Sequence, residues 1–186
     1  MSLDIAANRR ARKYTARELV LRVLWAFAQP FFRYSPRLLY GWRNMLLRLF
    51  GAHIGRQVQI HPRARIIFPW QLRVGDYSAI AEDVLIYNLG AVTLGNRVTI
   101  SHRAQVCAGS HDYRHPELPL LKPPVRIEDG AWICTQAFVG PGVTIGQFAV
   151  VGACAVAIHD VDAWTVCAGN PAQKIGMRSL DTKTGS

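Results

Sequence analysis

The side chains best suited to chemistry in this 186-residue chain are gathered in one stretch, Gly109-Ser110-His111-Asp112, with His115, Pro116 and Glu117 close behind. A neutral imidazole has an ordinary pKa of about 6.5 and can take a proton from a hydroxyl at neutral pH. His111 is therefore a candidate general base, and Asp112 a candidate for orienting its ring. His115 could touch a substrate without being the base, and so could His102. A second polar group lies upstream, where Glu82, Asp83, Tyr87 and Asn88 are candidates for binding the molecule that loses the proton. The competing chemistry is a zinc centre, for which His102, His111 and His115 would supply three ligands.

A loop that does chemistry needs a rigid element beneath it, and here that element shows as a repeat of six. Leu94, Ile100 and Val106 recur at that spacing, and after an excursion so do Ile127, Ile133, Val139, Ile145, Val151 and Ala157. Four residues later in most hexads comes a second small or β-branched residue: Val98, Ala104, Ala131, Ala137, Val143, Ala149 and Ala155. A period of six fits neither a helix nor an alternating strand. It is the period of a parallel β-helix, in which each hexad is one short strand and one corner. Three hexads make a triangular coil of about eighteen residues. Gly95, Gly140, Gly146 and Gly152 follow the inward aliphatic, where a side chain would crowd the corner. From Val106 to Ile127 the count is 21 positions, one hexad plus 15 extra residues, so a loop over residues 107–124 projects from the scaffold with His111 in it.

The first coils keep the same pattern less strictly. Ile54, Ile60, Ile66 and Leu72 slip by two to Val74, continue through Ile80 and Ile86, and slip by two again before Leu94. The second slip, at Tyr87-Asn88-Leu89-Gly90-Ala91, is expected to project beside the His111 loop. After Ala157 the count stretches to nine before Val166, which implies another enlarged corner.

Ile133-Cys134-Thr135, Val139-Gly140-Pro141-Gly142-Val143-Thr144-Ile145-Gly146, Val151-Gly152-Ala153 and Ala168-Gly169-Asn170-Pro171-Ala172 resemble the hexapeptide-repeat acyltransferases. Leu46-Leu47-Arg48-Leu49-Phe50-Gly51-Ala52, Pro69-Trp70, Leu72, Gly75-Asp76-Tyr77 and Gly109-Ser110-His111-Asp112 narrow the resemblance to the colanic acid biosynthesis acetyltransferases. It covers roughly residues 24–176. It implies a mainly β fold, a left-handed parallel β-helix with two short N-terminal helices, assembled as a homotrimer. It also implies an O-acetyltransferase that moves acetyl from acetyl-CoA, as cosubstrate and with no metal, to a saccharide hydroxyl in exopolysaccharide or capsule biosynthesis, with His111 as base. By the same resemblance coenzyme A lies along the groove between adjacent β-helices, against Ser101, Thr135 and Ala153, with Trp132 near the thioester and Lys174 and Arg178 toward the phosphates. Two positions depart from the sugar acetyltransferases of that family: Gln173 replaces an arginine, and Ala81 replaces an acceptor-binding asparagine. The zinc alternative resembles the carbonic anhydrases built as β-helical trimers. A third reading is a non-catalytic scaffold at a membrane surface.

Composition bounds the partners. The net charge of +10 is uneven, because residues 1–50 hold ten Lys and Arg against Asp4 and Glu18 while the rest hold twelve against ten. The basic segment carries no nucleic-acid recognition motif, and an anionic membrane surface suits it better. The longest apolar stretch, residues 19–32, is interrupted by Arg22 and Gln29 and is too short to span a bilayer. No secretory signal pattern follows the N-terminal arginines, and Cys107, Cys134, Cys154 and Cys167 show no paired motif. A cytoplasmic protein with reduced thiols is expected, peripheral to the inner membrane face where a lipid-linked acceptor would be found. Cys107, Cys134 and Cys167 are each expected one place after an inward aliphatic.

Four segments result: a loose basic arm over 1–14, a helical segment over 15–51, the β-helix over 52–176 with its loop, and a polar tail over 177–186. Thr15-Ala16-Arg17-Glu18 reads as a capping box that opens a helix ended by Pro30. Ser35-Pro36 is expected to open a second helix that turns Leu38, Leu39, Trp42, Met45, Leu46, Leu49 and Phe50 inward and Arg37, Asn44 and Arg48 outward. The two helices would hide the open end of the first coil, and the first would offer Leu19, Val20, Val23, Leu24, Trp25 and Phe27 to a membrane.

Overall fold

The computed structural model describes residues 3–180. Helices α1 (Ile5–Arg10), α2 (Ala16–Arg33) and α3 (Tyr40–Leu49) lead into a parallel β-helix of three faces. The inward aliphatics stack in register: Ile54, Val74, Leu94, Ile127 and Ile145 on the first face, and Ile60, Ile80, Ile100, Ile133, Val151 and Cys167 on the second. Ile66, Ile86, Val106, Val139 and Ala157 line the third. None of these residues is more than 8% exposed. The second set in each hexad, from Val98 to Ala155, is buried beside them, so a two-residue strand suffices because its neighbours above and below complete its hydrogen bonds and its apolar contacts.

Two corners explain the slips in the early count. Between the third and first faces the chain needs two extra residues, taken up by a 3-10 turn at Pro69–Gln71 in one coil and by Asn88 and Leu89 in the next. Asn88 does not project, as its position in an enlarged corner suggested. It is fully buried, and its side chain accepts from the Phe68 N–H (2.9 Å) and donates to the Phe68 carbonyl (2.6 Å), a backbone mimic that ties the two corners together. At the corner between the first and second faces the coils nearly touch: a Cβ added to Gly75 would lie 2.5 Å from the Gly95 carbonyl carbon, and one added to Gly95 would lie 2.7 Å from Asp129 N. Only glycine allows that approach.

The open end of the first coil is closed by donors rather than by apolar contact alone. Arg43 is fully buried, with Nε donating to the Ile60 carbonyl (2.7 Å) and its two terminal nitrogens to Ser35 Oγ and the Pro36 and Arg37 carbonyls. Asn44 donates to the Val58 carbonyl (2.8 Å), Arg48 to those of Ile54 and Gly55, and Trp25 Nε1 to that of Ile66 (3.0 Å). These carbonyls lie on the side of the first coil that has no coil beneath it. Asn44 and Arg48 therefore face the coil, contrary to the outward placement read from helical spacing, because backbone acceptors at a sheet edge must be satisfied, and Leu38, Leu39, Trp42, Met45 and Leu49, expected inward, are exposed instead.

Three boundaries also differ from expectation. Helix α2 runs through Pro30 to Arg33, held by the buried Phe32 packed edge-on to Trp25 at 6.0 Å. Helix α3 starts at Tyr40, because Ser35 Oγ donates to the Phe32 carbonyl (2.7 Å) at the end of α2 instead of capping a new helix. Cys167, not Val166, is the inward residue of the last coil, since it pairs with Val151, and so Cys167 does not follow an inward aliphatic. Gln173–Met177 then folds back antiparallel on Thr165–Ala168 and closes the far end. Met177 thus belongs to the sheet rather than to a free tail, the Arg178 N–H donates to the Trp164 carbonyl (2.7 Å), and residues 181–186 lie outside the described range. The capping box at Thr15 is present in both its bonds.

Candidate active site

The loop leaves the third face after Gln105–Cys107 and returns to the first at Val125–Ile127. Its base is a short hairpin in which Ser110 pairs with Leu121 and His111 with Leu120. The His111 ring is exposed, and its Nδ1 lies 2.6 Å from the Leu118 carbonyl oxygen. A carbonyl can only accept, so in the neutral ring Nδ1 carries the hydrogen and the Nε2 lone pair is free. Leu118 turns this carbonyl toward the ring by adopting φ of 47°, a left-handed conformation that leucine seldom takes.

Asp112 does not hold the imidazole. Its N–H donates to the Pro119 carbonyl (3.0 Å), and its carboxylate accepts from the Arg114 N–H (3.1 Å), which shapes the loop tip. His115 likewise accepts locally, from the Glu117 N–H at 3.2 Å. Tyr87 lies beneath the start of the loop, paired with Cys107, and its phenol is pushed up from its ordinary value by burial first and by Tyr14 and Cys107 next. Of the upstream polar group it is the member at the base of the His111 loop, against Cys107 and Gly109.

The arm, expected to be loose, is docked on this loop. Asp4 caps α1 through Ala7 N (2.8 Å), and the Asp4 N–H donates to the Pro116 carbonyl (2.9 Å). Tyr14 packs edge-on to Phe68 at 5.9 Å, with Arg22 and Lys122 on its ring. Asp4 in front of a short helical run was the readable signal for this order. Leu118 left none, because its contribution is a backbone atom.

Of the residues singled out for coenzyme A, Ser101, Thr135 and Ala153 gather on a different corner, between the second and third faces, whereas Arg178 lies at the corner between the first and second faces. The Gln136 N–H bonds to the His102 carbonyl and the Cys154 N–H to that of Thr135, so His102, Thr135 and Ala153 stack coil upon coil. Thr135 Oγ1 contacts the His102 Nε2 (2.9 Å) and donates to the His102 carbonyl (3.0 Å). Ser101 precedes His102, and its hydroxyl accepts from Trp132 Nε1 at 2.9 Å, with Trp132 43% exposed. A groove of about 290 Å³ on the second face ends at Ser101 and His102, with Arg37, Tyr40 and His61 along it. A wider concavity of about 630 Å³, around Arg48 and Arg73 on the first face, includes none of these residues.

Glu82 and Asp83 sit on this second corner, one coil below His102, and not beside His111. Their carboxylates are taken by Arg63, at 2.8 and 3.0 Å. Arg178 is anchored by Nη1 to the Gly130 (2.9 Å) and Phe148 (3.3 Å) carbonyls, while Lys174 is exposed on the closing strand. Among the described residues no three His, Cys, Asp or Glu side chains are placed to hold a metal ion, so His102, His111 and His115 do not converge. Burial raises the thiols of Cys134 and Cys167 above their ordinary value, which keeps them protonated.

No family model matches the chain. It is 42% identical over 158 residues to a protein of Escherichia coli named as the colanic acid biosynthesis acetyltransferase WcaF, covering 85% of this chain and 87% of that one. The structure superposes on a hexapeptide-repeat acetyltransferase of Vibrio cholerae in complex with acetyl-CoA, with a TM-score of 0.80, 27% identity and coverage of 89% and 91%. A galactoside acetyltransferase in complex with coenzyme A shares the fold, with a TM-score of 0.80 at 20% identity, covering 95% of this chain and 92% of that one.

Proposed function

Because the chain belongs to the hexapeptide-repeat acetyltransferases, we propose that it acetylates a saccharide hydroxyl in exopolysaccharide assembly, of the colanic acid kind, with His111 as general base. The enzyme is an acetyltransferase and acetyl-CoA is its cosubstrate. The observation that supports the base is the contact of His111 Nδ1 with Leu118, which leaves Nε2 free to accept a proton. As the acceptor oxygen attacks the thioester carbonyl carbon, Nε2 takes its proton. The carbon–sulfur bond then breaks, and the imidazolium returns that proton to the departing coenzyme A thiolate. Residues 52–176 form the catalytic unit in this reading, and residues 15–51 close its open end.

The donor runs along the His102, Thr135 and Ala153 corner, with Trp132 and Ser101 at one side and Lys174 near its phosphates. That corner and the His111 loop spring from different edges of one prism, with the third face between them. A homotrimer brings the loop of one protomer against the coenzyme corner of the next. Tyr87 and His115 lie on the loop side for the acceptor. Asn88 is enclosed, and Glu82, Asp83 and Asp112 are engaged within the chain.

The acceptor is lipid-linked in this proposal, because the helices leave a broad apolar face free. Leu19, Val20, Val23, Leu24, Phe27 and Phe31 are exposed along α2, with Phe27 at 75%, and Tyr34 and Leu38 continue the face at 82% each. No helix among the described residues is long and apolar enough to cross a membrane. An apolar face in a segment of charge +8 suits shallow attachment to the anionic cytoplasmic leaflet. The test of function is release of free thiol from acetyl-CoA with a panel of free and lipid-linked saccharides. Turnover with at least one saccharide is expected, and none with any would overturn the proposal.

A further inference from the structure

We propose that Asn8, in the N-terminal arm, is a positioning residue for His111, acting through the Leu118 carbonyl. This rests on His111 being the base. Asn8 Nδ2 lies 2.6 Å from the Glu117 carbonyl oxygen and 2.6 Å from that of Leu118, the same atom that accepts from His111 Nδ1. The orientation of the amide is fixed, because Asn8 Oδ1 accepts from Lys13 Nζ at 2.6 Å and Nδ2 faces only acceptors. Lys122 Nζ, from the return limb of the loop, donates in turn to the Lys13 carbonyl at 3.0 Å. With Asp4 on Pro116, the arm engages three successive loop carbonyls.

The Leu118 carbonyl has two lone pairs, and each meets one donor, Asn8 from the arm and His111 from the loop. The left-handed conformation of Leu118 persists only while its surroundings hold it. Without the Asn8 amide that peptide relaxes, the carbonyl turns away, and the ring loses the contact that selects the Nδ1–H tautomer. A free Nδ1 lone pair leaves the wrong nitrogen toward the acceptor.

Two variants of the full-length protein separate positioning from folding. Asn8→Ala removes the amide, while Asn8→Asp keeps its shape and its acceptor for Lys13 but cannot donate. Both are expected to lower kcat about tenfold or more, with KM for acetyl-CoA unchanged within about twofold. In a His111→Ala background Asn8→Ala should cost nothing further, since the residue acts through the ring. Nitrogen NMR of the imidazoles, with the His111 signal identified by its loss in His111→Ala, should show one Nδ1–H tautomer in the wild type and a mixture in both variants. That readout needs no acceptor, so it stands even if the acetyl-transfer reading fails. Unchanged kcat and tautomer, or an equal loss in the His111→Ala background, would overturn the proposal.

Discussion

A single lone pair carries the chemistry proposed for this enzyme, and everything local to His111 serves to aim it. The ring lies outside the stacked core, so His111→Ala should leave folding and coenzyme A binding nearly intact while turnover falls at least about a hundredfold. Calorimetry with coenzyme A beside a thiol-release assay checks both halves. Retained activity would move the base elsewhere, with His115 the next imidazole on the same loop. Trp132 makes the complementary case on the donor side. Its indole bonds Ser101 Oγ across adjacent coils, so Trp132→Ala should raise KM for acetyl-CoA several-fold through lost contact area, with little change in kcat.

Coils and caps hold those side chains in place, and their weak points are polar. Arg43 gives four hydrogen bonds from a fully buried guanidinium with no carboxylate beside it, and desolvation lowers its pKa. Removing it strands the Ile60 carbonyl at the sheet edge. Arg43→Ala should cost about 3 kcal/mol or more, a fall in melting temperature of about 10 °C. Corner residues form a second polar device: Asp76 accepts from the Arg56 N–H, Asn96 from the Asp76 N–H, and Asp129 from the Asn96 N–H, each at 2.8 Å. The Asn96 side chain and then its N–H hold the Asp129 carboxyl below its ordinary 3.8, and the Arg56 N–H and side chain do the same for Asp76. A carboxyl whose folded pKa is depressed stabilises the fold above the unfolded pKa, and that contribution is lost as pH falls through the folded value. Melting temperature should therefore fall on acidification from about pH 5 toward pH 3, and less steeply in an Asp76→Asn, Asp129→Asn variant, since asparagine still accepts. Equal slopes would refute the link. Within the column, Val139→Asp should prevent folding by burying a charge, whereas Thr144→Asp, outward and beside Arg126, should be tolerated.

For the whole molecule the issue is where a β-helix with a basic, apolar-faced cap works. Burial of Trp25 and Phe32 shows that α2 closes the coil, and the exposure of Phe27 and Phe31 shows that its other side remains free. Capping and the proposed membrane attachment would therefore use opposite faces of one helix. Sedimentation should find the protein on anionic but not neutral vesicles, less so at high salt, and not at all after Phe27→Glu with Phe31→Glu. Protein left in the supernatant with anionic vesicles at low salt would assign the helices to capping alone. Light scattering should give a mass of about three protomers, because one chain separates its base from the proposed coenzyme corner.

Much of the architecture was legible because a repeat of six writes itself into the sequence: each inward position must be aliphatic or small when its neighbours above and below are. Ile100, Ile133 and Val151 thus predicted their own register, and the break after Val106 predicted the loop bearing His111. Where the constraint was a backbone atom, the sequence was silent. Nothing in the residue types marks the Leu118 carbonyl as the partner of His111, or the unpaired carbonyls of the first coil that turn Asn44 and Arg48 inward. Asn88 read as a projecting polar residue, yet its amide is buried as a stand-in for backbone. The arm read as loose for the same reason, since Asn8 meets loop carbonyls more than a hundred residues away. Composition and period determine which residues are apolar and how often they return. Only the folded chain decides which polar group meets which carbonyl, because every residue carries that acceptor and the side chain does not announce it.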